Sequence, residues 1–232
     1  MKKKTKNKKK ILSYNINYNK EFDIENAIKI IKKINYIKFI STINLIIKLK
    51  QKEILNFRKN LFLPYGKNKK NKILIFNKNN KIIKKIKKLN FYKEKKVIIG
   101  DLNFIENLKN KKKNIFNIII SDKYYSKYLL KINNLLALKN LIPNKEDKTL
   151  LENPINFIKK NYNKFKLILK PDKNSILHLI IGKINFKKKY LIKNYEFILN
   201  FIKKFKFNNK NLIIEKIYIN STMGPSLKLF LK

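Results

Sequence analysis

The sequence predicts a mixed α/β protein of two domains, one inserted into a split α+β domain built from both chain termini. Three features carry this expectation. Apolar residues alternate near both ends, at Ile43, Leu45, Ile47 and Leu49, and again at Ile217 and Ile219, then Leu227, Leu229 and Leu231, as in half-buried strands. The middle carries short continuous apolar runs separated by helical periods, as in a parallel sheet covered on both faces. Polar stretches separate the two textures: Lys67 to Lys72, and the segment holding Pro143, Lys148 and Pro154.

These changes place a basic tail over 1–12, a discontinuous domain over 13–70 and 155–232, and an inserted Rossmann-like domain over 71–154. Asp23 reads as an N-cap, and Ile24, Ala27, Ile28, Ile31 and Ile34 follow at helical spacing. The strand at Ile43–Leu49 comes next, then one at Leu61–Leu63, closed by Pro64 and Gly66. Within the insert, Ile73–Phe76, Val97–Ile99 and Ile118–Ile120 read as strands. Between them, Ile82, Ile83, Ile86 and Leu89, then Leu102, Ile105 and Leu108, read as helices. Beyond Pro154, Phe165, Leu167 and Leu169 alternate as a strand. Leu191, Tyr195, Ile198, Leu199, Ile202 and Phe205 make an amphipathic helix before the terminal hairpin. Two strands joining the domains would permit hinge motion.

Composition narrows function. With 58 basic against 14 acidic residues the net charge is +44. Lys, Asn and Ile are abundant while Arg58 stands alone, a skew expected of AT-rich coding, which raises lysine in any protein. The imbalance remains lopsided after that discount and points to polyanions: RNA, DNA or anionic lipid. The absence of Cys excludes disulfides and thiolate metal sites. No apolar run approaches the roughly 18 residues of a membrane span. The Lys2–Lys10 tail lacks the apolar segment of a signal peptide and reads as a disordered basic arm in the cytosol. With one His, His178, set between Leu177 and Leu179 and read as partly buried, metal catalysis is not expected. No phosphate-binding glycine loop, nucleophile elbow or paired carboxylates appear. The strand–helix alternation alone would suit an enzyme on a Rossmann-like scaffold, but the glycine-rich first turn of a dinucleotide fold is missing.

One segment stands out: Ser221-Thr222-Met223-Gly224-Pro225, between two alternating apolar runs in a glycine-poor chain. It reads as a strand, a tight turn and a strand, Gly224 supplying permissive φ and Pro225 fixing the next residue. As a plain hairpin it needs no function. In so basic a protein, two hydroxyls, exposed amides and a polarizable side chain could also meet sugar 2′-hydroxyls and base faces.

That turn resembles the end of the L-one family of large-subunit ribosomal proteins, and further segments resemble it in the same order. Leu63, Pro64, Gly66 and Lys69 match a Leu-Pro-His-Gly segment and its basic loop, with Tyr65 in place of His. Lys38-Phe39 with Thr42 is similar to Lys-Phe-x-x-Thr, and Leu141-Ile142-Pro143-Asn144 to Leu-Met-Pro-Asn. Asp172-Lys173 through Ile176, His178, Gly182 and Lys183 resemble an Asp-Lys…Ile-His…Gly-Lys run. The matches cover nearly the whole chain. Two departures stand out: Ala137-Leu138-Lys139-Asn140 replace Gly-Pro-Arg-Gly, and Ser226 replaces a glycine.

The resemblance implies a non-enzymatic protein of the large subunit, cytoplasmic and monomeric within the ribosome, without cofactor or metal. It implies binding of large-subunit 23S-type rRNA, formation of the mobile stalk and assistance to deacylated tRNA leaving the exit site. Some members also repress translation of their own mRNA. The implied RNA-binding residues are Lys38, Phe39, Thr42, Lys173, Ser221, Thr222, Met223 and Gly224. Read without the resemblance, Phe39 serves equally as a core aromatic, Thr42 and Lys173 as solvated side chains, and Met223 as cover for the apolar layer beneath it. The alternative function is a non-specific cationic coat for nucleic acid.

Overall fold

A computed structural model describes residues 20–35, 37–50, 57–66, 72–89, 92, 96–110, 116–145, 147–161, 164–207 and 210–231. The mixed α/β class expected from the sequence is the class observed. The chain divides into two compact units, one of Met1–Lys67 with Leu167–Lys232 and one of Asn68–Lys166. The basic tail, and all but Lys72 of the stretch Lys67 to Lys72, lie outside the described residues.

Unit one begins with β1 (Glu21–Phe22) and α1 (Ile24–Ile34). The Asp23 carboxylate accepts the Glu25 amide at 3.2 Å, capping α1. Ala27, Ile28, Ile31 and Ile34 form its buried stripe. β2 (Thr42–Leu49) alternates without a break, burying Ile43, Leu45, Ile47 and Leu49. β3 (Lys59–Leu63) ends at Pro64, as expected.

Unit two is built on three parallel strands: β4 (Ile73–Phe76), then α2 (Asn80–Lys87), β5 (Val97–Ile99), α3 (Leu102–Asn110) and β6 (Ile118–Ser121), with sheet order β5-β4-β6. Both β4 and β6 are buried at every position, which explains their unbroken apolar runs. Three helices follow that the sequence reading does not mark: α4 (Lys123–Leu130), α5 (Asn133–Leu138) and α6 (Ile155–Asn161). Leu74, Phe76, Ile105, Leu129, Leu136 and Leu141 meet in one core. A Cβ on Gly100 would stand 2.5 Å from Phe76 Cε1, so glycine there makes room for the ring. Asp122 caps α4 through the Tyr125 amide at 2.8 Å and also accepts the Lys78 amide at 2.8 Å, joining the loops that follow β6 and β4.

The chain returns through β7 (Phe165–Leu169), which pairs with β3, into β8 (Ile176–Lys183), α7 (Lys188–Lys204), a short hairpin of β9 (Lys206–Phe207) and β10 (Lys210–Asn211), and finally β11 (Ile214–Ser221) and β12 (Ser226–Leu229). The main sheet runs β1-β12-β11-β2-β8, so strands from the two chain ends alternate across it. Leu177, Leu179, Ile181, Ile217, Ile219, Leu227 and Leu229 join the β2 residues on the buried face. α1 packs on β11, β12 and α7, and α7 on β8 and β3. Asn194, fully buried on α7, accepts the Tyr65 amide at 3.1 Å and donates to the Tyr65 and Ile181 carbonyls at 2.9 and 2.8 Å. Tyr65 stacks on Tyr190 at 4.4 Å, so the loop after β3 is docked on α7.

Five local readings change. Leu89 lies past the C-cap Lys88 of α2 rather than in the helix. Phe205 is the C-cap of α7 rather than a helical residue. Leu231 lies past β12 and is half exposed. His178 is exposed on the open sheet face, its ring 3.5 Å from Asp172, because strand alternation sends it opposite to Leu177 and Leu179. The left-handed residue of the terminal turn is Met223, at φ 64°, and not Gly224.

Asn194→Ala removes three bonds to backbone groups at once and is expected to lower unfolding stability by about 2–3 kcal/mol, read by urea denaturation of the full chain. A loss within ±0.5 kcal/mol, the range usual for unremarkable surface changes, contradicts a fixing role for this side chain.

Candidate nucleic-acid interface

The turn between β11 and β12 is fastened to the start of β2. Ser221 pairs with Ile43 across the sheet. One residue on, the Thr222 amide donates to the Thr42 carbonyl at 3.0 Å, and Thr222 Oγ1 accepts the Thr42 amide at 3.2 Å. The two threonine hydroxyls lie 2.8 Å apart. The Gly224 amide closes the turn on the Ser221 carbonyl at 2.8 Å. A Cβ on Gly224 would meet Ser221 Oγ at 2.2 Å, so a larger residue here would turn that hydroxyl aside.

These contacts sort the expected residues. Met223 is the exposed tip, 73% accessible, and does not cover the apolar layer beneath. Phe39 is 56% accessible in the loop before β2, so it is not a core aromatic, and Lys38 beside it is exposed. Thr42 and Thr222 are half-buried and spend hydroxyl capacity on each other, which makes them the clasp beneath the tip. Ser221 is buried, because its parity in β11 places it on the helix-covered face with Ile217 and Ile219. Gly224 is half-buried inside the turn.

Lys173 is not with them. Thr42 pairs with Lys183 and Lys48 with Ile176, so the turn before β8 lies at the other end of the sheet from Thr42. Six strand steps at about 3.3 Å each separate the two ends by about 20 Å. Around Lys173 the Asp172 carboxylate accepts the Ile176 and Asn174 amides, each at 2.9 Å. The Ile176 bond foremost, then that of Asn174 and the nearby His178, hold this carboxyl below the ordinary carboxylate range against a smaller opposing effect of burial. The geometry therefore gives two exposed loops at opposite ends of one sheet.

Ile40 belongs to the first end, 54% accessible beside Phe39, and the sequence reading misses it. In a chain so rich in isoleucine, an exposed one carries no mark. Lys183, half-buried opposite Thr42, adds a cation to the same end.

Charge surrounds both ends. Even if each of the 14 acids neutralised one cation, 44 of the 58 would remain. Glu21 already bonds Lys228 at 2.7 Å, raising that ammonium's pKa, and Glu215 bonds Lys48 at 3.0 Å, which lowers the Glu215 carboxyl. Among the described residues no group of His, Asp or Glu could hold a metal ion, and no helix is long and apolar enough to cross a membrane.

Fold and surface together define a class: a strongly cationic α/β protein whose two chain ends build one sheet, with a clasped, exposed loop tip at one end of its strands. Comparison with known proteins makes the class particular. The family model described as "Ribosomal protein L1p/L10e family" matches residues 3–225. The proteins named "Large ribosomal subunit protein uL1" from Buchnera aphidicola subsp. Baizongia pistaciae and from Borrelia garinii subsp. bavariensis are each 30% identical, over 99% and 97% of this chain and 96% of their own length. The protein of that name from Borrelia duttonii is 28% identical over 92% of both chains. The chain belongs to the ribosomal protein L1p/L10e family.

Thr222→Val removes the acceptor for the Thr42 amide and the hydroxyl pair. It is expected to cost about 1–2 kcal/mol and to speed hydrogen exchange at the Thr42 amide; unchanged exchange there would mean that the clasp is not formed in solution. For Asp172 the folded pKa is depressed, so its contribution to stability is present above the unfolded value of about 3.9 and fades as pH falls through the folded one. Asp172→Asn keeps the acceptor oxygen and removes the charge. The difference in melting temperature between parent and variant should therefore shrink as pH is lowered from about 5 to below 3, and a constant difference across that window argues against the shift.

Proposed function

We propose that this chain is a structural protein of the large ribosomal subunit that grips large-subunit rRNA with the Phe39, Ile40, Thr42 and Met223 end of unit one. The observation that carries the reading is the tip itself: an apolar, polarizable side chain held out in solvent by a clasp of backbone and hydroxyl bonds. Those bonds order the backbone beneath it in advance, so binding has only the side chain left to order. It suits contact with sugar edges and base faces in folded RNA, whose shape and 2′-hydroxyls proteins read. Lysines, Lys38 among them, supply the salt-dependent attraction to phosphates. Lys173 and its turn form a second, separate contact.

In this reading the discontinuous domain, 13–70 with 155–232, is the RNA-binding body, the segment 71–154 the inserted domain, and the tail 1–12 an accessory phosphate contact. The protein acts as a monomer in the cytoplasmic ribosome, without cofactor or catalysis. It forms the mobile stalk, assists exit-site tRNA in leaving, and represses its own mRNA where that message copies the rRNA site. Family membership and the printed names of the relatives support the ribosomal part. The charge of +44 favours a second reading, a cationic coat for any nucleic acid.

Filter binding to a stalk rRNA fragment separates the two. Met223→Ala should weaken cognate binding by about 1–3 kcal/mol with an unchanged salt slope, whereas Lys38→Ala should lower the slope by about one. Equal competition by an unrelated duplex at moderate salt would favour the coat.

A further inference from the structure

Unit two carries a surface that the reading above does not use. Tyr124 and Tyr128 stand one turn apart on α4, with ring centroids 5.5 Å apart and hydroxyls 3.4 Å apart. Tyr124 is 39% accessible. The pair is anchored from below: Tyr124 meets Tyr125 edge-on at 5.3 Å, and Tyr125 in turn packs at 5.7 Å on the fully buried Phe76. The Lys78 ammonium lies 4.6 Å from the Tyr124 ring centre and that of Lys131 lies 5.7 Å from the Tyr128 ring centre. Lys123 and Lys127 are exposed on the same helix.

The acids nearby are few. Asp122 is buried and engaged by the Lys78 and Tyr125 amides, Glu152 pairs with Lys123 at 3.5 Å, and Asp101 acts on Tyr125. The hydrogen bond to Tyr128 raises the Tyr124 phenol pKa above its usual value.

The surface lies at the C-terminal ends of β4 and β6. The order β5-β4-β6 reverses the winding of the sheet between those two parallel strands, the place where ligands bind in open α/β sheets. At this point the surface presents anchored aromatic rings with cations over them. That is the pairing by which proteins hold single strands: rings for bases, ammonium groups for phosphates.

We propose that Tyr124 and Tyr128 form a stacking platform for unpaired bases of an RNA strand, with Lys78 and Lys131 on its phosphates. An exposed cation–π contact is weaker than a base stacked on an aromatic ring. The ammonium groups therefore yield the ring faces to bases and turn to the backbone. Such binding tolerates any sequence, because every base has a face to stack.

The test is fluorescence anisotropy of a labelled eight-residue oligouridylate with the full chain at several salt concentrations. Tyr124→Ala with Tyr128→Ala should weaken binding about tenfold with the salt slope unchanged. Tyr124→Leu with Tyr128→Leu, which keeps apolar volume without a π face, should do the same and serves if the alanine pair unfolds. Tyr124→Phe with Tyr128→Phe should bind like the parent. Met223→Ala should stay within about twofold of the parent, which separates this platform from the rRNA grip of unit one. Parent-like binding by the leucine pair overturns the proposal. So does displacement of the oligomer by micromolar uridine monophosphate, which would make the site one for a free nucleotide.

Discussion

The structure depends on the pairing of the two chain ends in one sheet. β2 comes from the first quarter of the sequence and lies between β11 and β8 from the last third, while β1 closes the far edge against β12. Because strand side chains alternate, a slip of one residue between β2 and β11 would move Ile217 and Ile219 to the open face and Tyr218 and Asn220 into the core. The buried sets of β2 and β11 thus specify one register, and that register puts Thr222 beside Thr42. The clasp, and with it the exposure of Met223, follows from core packing rather than from any attraction to a ligand.

Charge acts against this arrangement. A surplus of 44 cations repels itself, most strongly in the compact state. The opposing term is apolar burial, about 1.5–3 kcal/mol for each large side chain fully removed from water. Unit one has such burial on α1, on α7 and on alternate positions of four strands, and unit two has it around Phe76. Lysine suits this compromise because its stem covers apolar surface while its ammonium stays in water. Polyanion binding would relieve the repulsion and stabilise the folded chain by linkage.

The elements legible in the sequence are those whose burial is one-sided or total. The α1 stripe, the alternation of β2 and the unbroken runs of β4 and β6 each follow from which faces are covered. β8 is hidden because its open face also carries Ile176 and Ile180, so the alternation of Leu177, Leu179 and Ile181 leaves no period to read. α4 and α5 are hidden because their exposed faces hold Tyr124, Leu130, Leu135 and Leu138 in place of polar residues. At the candidate interface, sequence reading finds the turn, but not that Ser221 faces inward or that Lys173 lies at the other end of the sheet. Both are facts of parity and register, which pairing decides. Asn194 gives no signal at all: an asparagine among many becomes a fixing residue only once Tyr65 and Ile181 meet around it.

The chain has only four glycines, and none of those described occupies left-handed backbone. Asn140, Lys148, Ser175 and Met223 do so instead, at φ between 53° and 64°. Asn140 shows how a departure from the resembled family is absorbed. It stands where that family has a glycine, ends α5 in the left-handed region that asparagine tolerates, and lets the Leu141 amide reach the Leu136 carbonyl at 3.0 Å. Met223 has no such excuse. An unbranched apolar residue in that region costs on the order of 1 kcal/mol, and a neighbouring glycine could have taken the position. Gly224 lies one residue on, where a Cβ would push the Ser221 hydroxyl aside. The bonds of Thr42, Thr222 and Gly224 hold Met223 in that conformation. The result is a tip whose direction is set before any partner arrives.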